Sequence, residues 1–84
     1  HPGCAVVPAA LAVAETQGAG GRALLRAIAA GYDIGARAVM ALGVRSADTA
    51  RFSTHTIGGN FGATAAAAAL AGLDRRGVMH ALSY

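Results

Sequence analysis

The sequence predicts an all-α fold, for three reasons. Apolar and small residues recur three or four positions apart, alanine is abundant, and no segment alternates apolar with polar residues in the way that a half-buried strand does. Glycine and aspartate stand where such helices would end or begin. We predict three complete helices and a truncated fourth, which together form part of a single helical domain over residues 1–84.

The first predicted helix runs from about Ala5 to Thr16, within the stretch CAVVPAALAVAE. Its alanines favour helix over strand, and Pro8 is tolerated only near the first turn or at a kink, because proline has no N–H to donate. Because this helix is apolar on most sides, we expect it to be buried. Cys4 is then expected to be a small buried apolar residue rather than a nucleophile.

The second predicted helix spans Arg22 to Leu42. The residues of its apolar stripe are Leu24, Ile28, Tyr32, Gly35, Val39 and Leu42. Gly31 and Gly35 are one helical turn apart, a spacing that lets another helix backbone approach closely. Gly43 fits the position just past the helix end, where glycine is favoured.

The third predicted helix begins at Thr54 or Thr56 and ends near Leu70. Three glycines interrupt it, namely Gly58, Gly59 and Gly62. Each lowers helix propensity by about 1 kcal/mol relative to alanine, so we expect them to serve the close approach of a neighbouring helix or a ligand. Asp74 is a good N-cap for the fourth helix, and one short helical turn is expected within SADTARF.

Charge and cysteine content argue against several functions. The net charge is +3, and the arginines are scattered without a basic stripe that alternates with aromatics, so we expect no nucleic-acid partner. The longest apolar run, Phe61 to Leu73, is shorter than the about 20 residues that cross a bilayer. The single cysteine and the well-separated histidines predict no disulfide and no metal site. Asp33 and Arg37 are expected to form a local ion pair.

Candidate chemistry concentrates in the stretch RFSTHTIGG, where His55 stands among hydroxyl side chains. A helix N-terminus favours anions through its unpaired N–H groups and its dipole, which is typical of a site for an acidic substrate. The plainer interpretation is a helix start in which Ser53 or Thr54 is the cap. Arg51 either pairs with a carboxylate or is a solvated arginine beside a loop.

Two stretches also resemble a known family. HPGCAVVPAALAVAE, followed by GRALLRAIAAGYDIGAR, resembles the helical domain of the MmgE/PrpD family. RFSTHTIGGNFGATAAAAALAGLD resembles that family's next motif, which has an aromatic residue, a polar cluster, a glycine and an alanine-rich helix ending in GLD. The resemblance covers essentially the whole chain, in order.

That family includes 2-methylcitrate dehydratase, cis-aconitate decarboxylase and iminodisuccinate epimerase. The resemblance implies a homodimer that acts without a cofactor on small di- or tricarboxylic acids. We also expect a cytoplasmic location. Each subunit of the family has a helical domain and a lid domain, and this chain looks like an inner part of the first. We therefore expect an excerpt whose partners are the remainder of the helical domain and the lid domain, which supply further catalytic residues.

The resemblance also assigns roles to residues. His1 matches the active-site histidine of the family's HP motif, whereas Ser53 stands where cis-aconitate decarboxylase has a second histidine, and His55 follows two residues later. We expect His1 and His55 to transfer protons, since histidine titrates near neutral pH. The expected substrate-binding residues are Ser53, Thr54, Thr56, Arg51, Gly58 and Gly59.

Dehydration of a 2-methylcitrate-like substrate is the leading reaction, ahead of epimerisation, and decarboxylation ranks third because of Ser53. The alternative from another class is a non-catalytic packing or dimerisation module. In that case the small-residue helices would serve mainly as an interface between domains or subunits.

Overall fold

The computed structural model describes residues 1–43 and 53–84, and these form helices without any strand. The helices are α1 (Gly3–Gln17), α2 (Gly21–Ala41), α3 (Thr54–Leu70) and α4 (Arg75–Leu82). The predicted all-α fold class is therefore confirmed. The short turn predicted within SADTARF lies outside the described residues.

The helix ends use the residues that the sequence offered for them. Gly18, Gly43 and Gly72 follow α1, α2 and α3 and have left-handed φ angles of 63°, 59° and 67°. Glycine enters this region without the steric cost that a Cβ brings, so it ends helices well. Asp74 caps α4, because its Oδ1 accepts a hydrogen bond of 2.8 Å from the N–H of Gly77. The predictions for Gly43 and Asp74 are confirmed.

The core is small and consists mainly of alanine. It contains Val6, Ala10, Ala27 and Ala66, against which Leu24, Ile28 and Leu70 pack. Val6 is the largest fully buried side chain of the described structure. The distance between packed helix axes is usually about 8–10 Å and depends on the side chains at the contact. Because the side chains here are so small, the helix backbones can approach closely.

Only one stripe of α1 is buried, which corrects the prediction that this helix, apolar on most sides, is buried. Val6, Ala10 and Ala14 are buried and recur every four residues, so they share one face. Cys4 and Pro8 lie two residues before and after Val6, and both are exposed. Two residues correspond to more than half a turn, so these side chains point away from the core. The prediction that Cys4 is buried is wrong for this reason.

The buried line of α2 is made of its smallest residues. Ala27, Gly31 and Gly35 are buried, whereas Tyr32 and Leu42 of the predicted stripe are 41% and 52% exposed. The large side chains flank the line along which α2 meets α3, and they do not fill it. The predicted close approach at Gly31 and Gly35 is confirmed, but the centre of the stripe is shifted towards these small residues.

The backbones of α2 and α3 touch at two glycine pairs. A Cβ built on Gly31 would lie 2.7 Å from the carbonyl oxygen of Gly62, and one built on Gly35 would lie 2.6 Å from that of Gly58. The order of the two contacts is reversed between the helices, so α2 and α3 run antiparallel here. Real Cβ atoms do not come so close to a carbonyl oxygen, and only glycine fits at these positions.

The same side of α3 also meets α1. A Cβ on Gly62 would lie 2.8 Å from Cγ2 of Val6, and a Cβ on Gly59 would lie 3.1 Å from the Cβ of Ala5. Gly58, Gly59 and Gly62, which we call the glycine patch, are all buried. This patch packs α3 against α1 and α2, and α3 also contacts α4.

We expect Gly62→Ala to lower the free energy of unfolding of the full-length protein by about 1–3 kcal/mol, because the new methyl group collides with the Gly31 carbonyl and with Val6. Gly21→Ala is the matched control, since nothing lies within 4 Å of its Cβ position. It should leave stability unchanged or raise it slightly. Urea unfolding measures both, and equal stability of the two variants would contradict the proposed collision.

Candidate functional site

The imidazoles of His1 and His55 lie face to face. Their ring centroids are 4.9 Å apart and their planes differ by 14°. His1 precedes α1, and its carbonyl oxygen accepts a hydrogen bond of 3.0 Å from the thiol of Cys4. His55 lies in the first turn of α3. The structure therefore brings together the two residues that the sequence assigned to proton transfer.

Helix packing explains how the two rings meet. Ala5 and Gly59, which face each other across α1 and α3, each lie four residues after one of the histidines. Val6 and Gly62 form the next contact along both helices, so α1 and α3 run parallel at this point. The absence of a side chain at Gly59 lets the helix starts come close enough for the rings to stack.

A cavity of about 310 Å³ adjoins the histidine pair. The starts of α1 and α3 contribute His1, Pro2, Thr54 and His55 to its lining. α2 contributes Gly35, Ala36, Val39 and Met40 to the lining. Gly58 and Gly59 line it from α3. Its volume is at the lower end of the range for small-molecule sites.

Gly58 serves both the helix contact and the cavity. A Cβ at this position would lie 3.0 Å from Cγ2 of Val39 and 3.5 Å from the carbonyl oxygen of Gly35. Without that atom, the backbone of α3 is accessible to a ligand and α2 still packs closely. The predicted use of these glycines for close approach by a helix is confirmed, and a ligand contact stays a prediction.

Ser53 and Thr56 form the cap of α3. Ser53 Oγ accepts a hydrogen bond of 3.2 Å from the N–H of Thr56, and the two hydroxyl oxygens are 2.8 Å apart. Such a cap satisfies an N–H group that the helix leaves without a partner. Of the two capping residues considered, the structure uses Ser53.

The predicted substrate-binding residues thus fall into three groups. Thr54 lines the cavity together with Gly58 and Gly59. The hydroxyls of Ser53 and Thr56 are hydrogen-bonded to each other, and neither residue is part of the cavity lining. Arg51 lies outside the described residues.

The sequence reasoning missed the contribution of α2. Ala36 and Met40 carry no chemical signature, and Val39 was assigned to helix packing alone. One signal in the sequence points to α2. The predicted close approach at Gly35 implies that the next turn of α2 lies beside the neighbouring helix. That turn contains Val39 and Met40.

Asp33 and Arg37 carry opposite charges and lie one turn apart on α2. Arg37 Nε donates to Asp33 Oδ1 at 2.9 Å, which confirms the predicted local ion pair. The hydrogen bond and the charge of Asp33 raise the pKa of the Arg37 guanidinium above its ordinary value. Both side chains are largely exposed, so the pair contributes little to stability.

Metal-binding groups and membrane-spanning helices are absent from the part of the chain that the structure describes. Within residues 1–43 and 53–84, no three His, Cys, Asp or Glu side chains come together as a metal-binding group. No helix in the same part of the chain is both long and apolar enough to span a membrane.

Comparison with known proteins identifies one family. The family model described as the MmgE/PrpD N-terminal domain matches residues 1–84. Comparison with curated proteins and with solved structures finds no match. The family match includes both stacked histidines and every residue that lines the cavity.

We expect Ser53→Ala to lower the free energy of unfolding by about 1 kcal/mol, because the N–H of Thr56 loses its acceptor. Ser53→Asn is the matched control, since asparagine caps helices about as well as serine and should preserve stability. Thermal unfolding of the full-length protein compares the two. If both variants were as stable as the unaltered protein, the cap would contribute nothing.

Proposed function

The chain belongs to the MmgE/PrpD family, and on that premise we propose that its cavity is part of the active site of a cofactor-independent hydro-lyase. The substrate is a small di- or tricarboxylic acid of the 2-methylcitrate type. The observation that supports this most directly is the pair of stacked imidazoles beside a cavity of small-molecule size.

Dehydration requires two proton transfers, and the site offers two suitable groups. A base removes a proton from a carbon next to a carboxylate, the hydroxyl on the neighbouring carbon leaves as water with a proton from an acid, and a carbon–carbon double bond forms. Imidazole can act as acid or base near neutral pH. In this proposal His1 and His55 share these two transfers, on one side of the bound acid.

The start of α3 supplies a place for a carboxylate. The N–H groups of Thr54 and His55 belong to the first helical turn and have no acceptor within the helix. These groups, the helix dipole and the Thr54 hydroxyl all favour an anion beside the histidines. Gly58 and Gly59 leave room for the acid to approach. Ser53 and Thr56 support this arrangement indirectly, by capping the helix.

The order of the candidate reactions follows from the same residues. Epimerisation would use the same proton-transfer groups without loss of water, and we rank it second. Decarboxylation ranks third, because Ser53 stands where the resemblance places a second histidine in the decarboxylase. In this proposal the remainder of the helical domain and the lid domain complete the site, within a cytoplasmic homodimer.

A packing or dimerisation module is the second candidate. The observation that favours it is the number of large apolar side chains that remain exposed, among them Leu25 at 69% and Met79 at 62%. Covering these side chains would stabilise a larger assembly without any chemistry at the cavity.

We expect His1→Ala and His55→Ala each to remove the activity and to leave the thermal transition nearly unchanged. Both side chains are exposed, so truncating them opens no cavity in the core. His80→Ala is the matched control, because His80 is exposed on α4 and does not line the cavity. A large loss of stability with a modest kinetic change would support the packing module instead.

Proton NMR in deuterated water tests the reaction class. We expect the full-length protein to cause loss of a carbon-bound proton from 2-methylcitrate, with loss of water and formation of an unsaturated tricarboxylate. Citrate, cis-aconitate and related diacids complete the panel. Proton exchange without loss of water would favour epimerisation, and no change in any acid, with demonstrably folded protein, would contradict the proposed chemistry.

A further inference from the structure

The helices that line the cavity contribute side chains of different polarity. The histidines and Thr54 lie at the helix starts, whereas the side chains that α2 contributes beside Gly35 are those of Ala36, Val39 and Met40, which we call the apolar wall. No side chain of the wall can form a strong hydrogen bond. A ligand that fills the cavity therefore meets hydrogen-bonding groups from the starts of α1 and α3 and methyl or thioether groups from α2.

This division restricts which part of an acid can face α2. A carboxylate or hydroxyl placed against the wall would lose water without gaining a hydrogen bond, which is costly. An alkyl group placed there would instead gain from burial. From this asymmetry we infer that the apolar wall binds an alkyl substituent of the substrate and makes the site select alkyl-bearing acids over their unsubstituted counterparts. The inference rests on the function proposed above, because it takes the ligand to be an acid.

The three residues of the wall contribute differently. Val39 is held in place by α3, since its Cγ2 packs against Gly58. Ala36 is small, and so leaves space beside Val39 for a short alkyl group. Met40 is 76% exposed although it lines the cavity. Its flexible thioether can fold over an alkyl group and shield it from water.

The expected selectivity is moderate. One methylene group in an apolar pocket changes affinity or specificity by about 10- to 200-fold. Two of the three wall residues are exposed, so burial of the alkyl group is incomplete. We therefore expect the preference for the alkyl-bearing acid to lie near the lower end of this range, at about tenfold.

Calorimetric titration of the full-length protein with two unreactive acids tests the wall. Butane-1,2,3-tricarboxylate and propane-1,2,3-tricarboxylate correspond to 2-methylcitrate and citrate without the hydroxyl group, so neither can lose water, and they differ by one methyl group. The unaltered protein should bind the methyl-bearing acid about tenfold more tightly. Met40→Gln and Ala36→Ser should bring the ratio towards one, by weakening binding of the methyl-bearing acid only.

Met79→Gln is the matched control. Met79 is exposed to a similar degree, at 62%, and lies on α4 outside the cavity lining. This variant should retain the preference of the unaltered protein. Equal affinity for the two acids, a ratio that Met40→Gln and Ala36→Ser leave unchanged, or binding of neither acid would each overturn the inference.

Turnover of 2-methylcitrate and citrate, measured on the same proteins, separates this inference from the proposed function. Preferential binding of the methyl-bearing analogue without turnover of either hydroxy acid would contradict the proposed dehydration. The role of the apolar wall in binding an alkyl group would still be supported. Turnover of both acids without any preference would overturn the wall and leave the dehydration in place.

Discussion

Where α2 crosses α3, the carbonyl oxygens of Gly58 and Gly62 occupy the space in which Cβ atoms of Gly35 and Gly31 would stand. Each glycine weakens its own helix by about 1 kcal/mol relative to alanine. Close backbone contact offsets this cost through dispersion and weak Cα–H···O interactions. Because Val6 is the largest fully buried side chain among the described residues, contacts between backbones take the place that bulky side chains have in most cores.

The same contacts form the candidate site. Gly59 lets the start of α3 approach Ala5 at the start of α1, and the two histidine rings stack one turn before that contact. Gly58 brings α2 close enough for its apolar side chains to line the same cavity as the histidines. The fold and the site therefore depend on one set of glycines, and a side chain added there would disturb both.

Helix positions and ends were predictable because their signals are local. Periodicity located α2. Glycines with left-handed φ angles follow the first three helices, and Asp74 caps α4 as expected. The stacking of the two histidines was not predictable from periodicity, which shows the face of a helix that is apolar but not the partner that it meets. Likewise, the burial expected for Cys4 assumed neighbours on all sides of α1, whereas the described structure covers one stripe.

The distance between the rings of His1 and His55 in solution tests most directly whether the glycine patch positions the site. Nuclear Overhauser effects between their ring protons can be measured in full-length protein with histidine-selective labelling. We expect a clear cross-peak between the two rings, and its loss in Gly59→Leu, in which the added side chain pushes Ala5 away. An absent cross-peak in the unaltered protein, or an undiminished one in a folded Gly59→Leu variant, would contradict the proposed role of the patch.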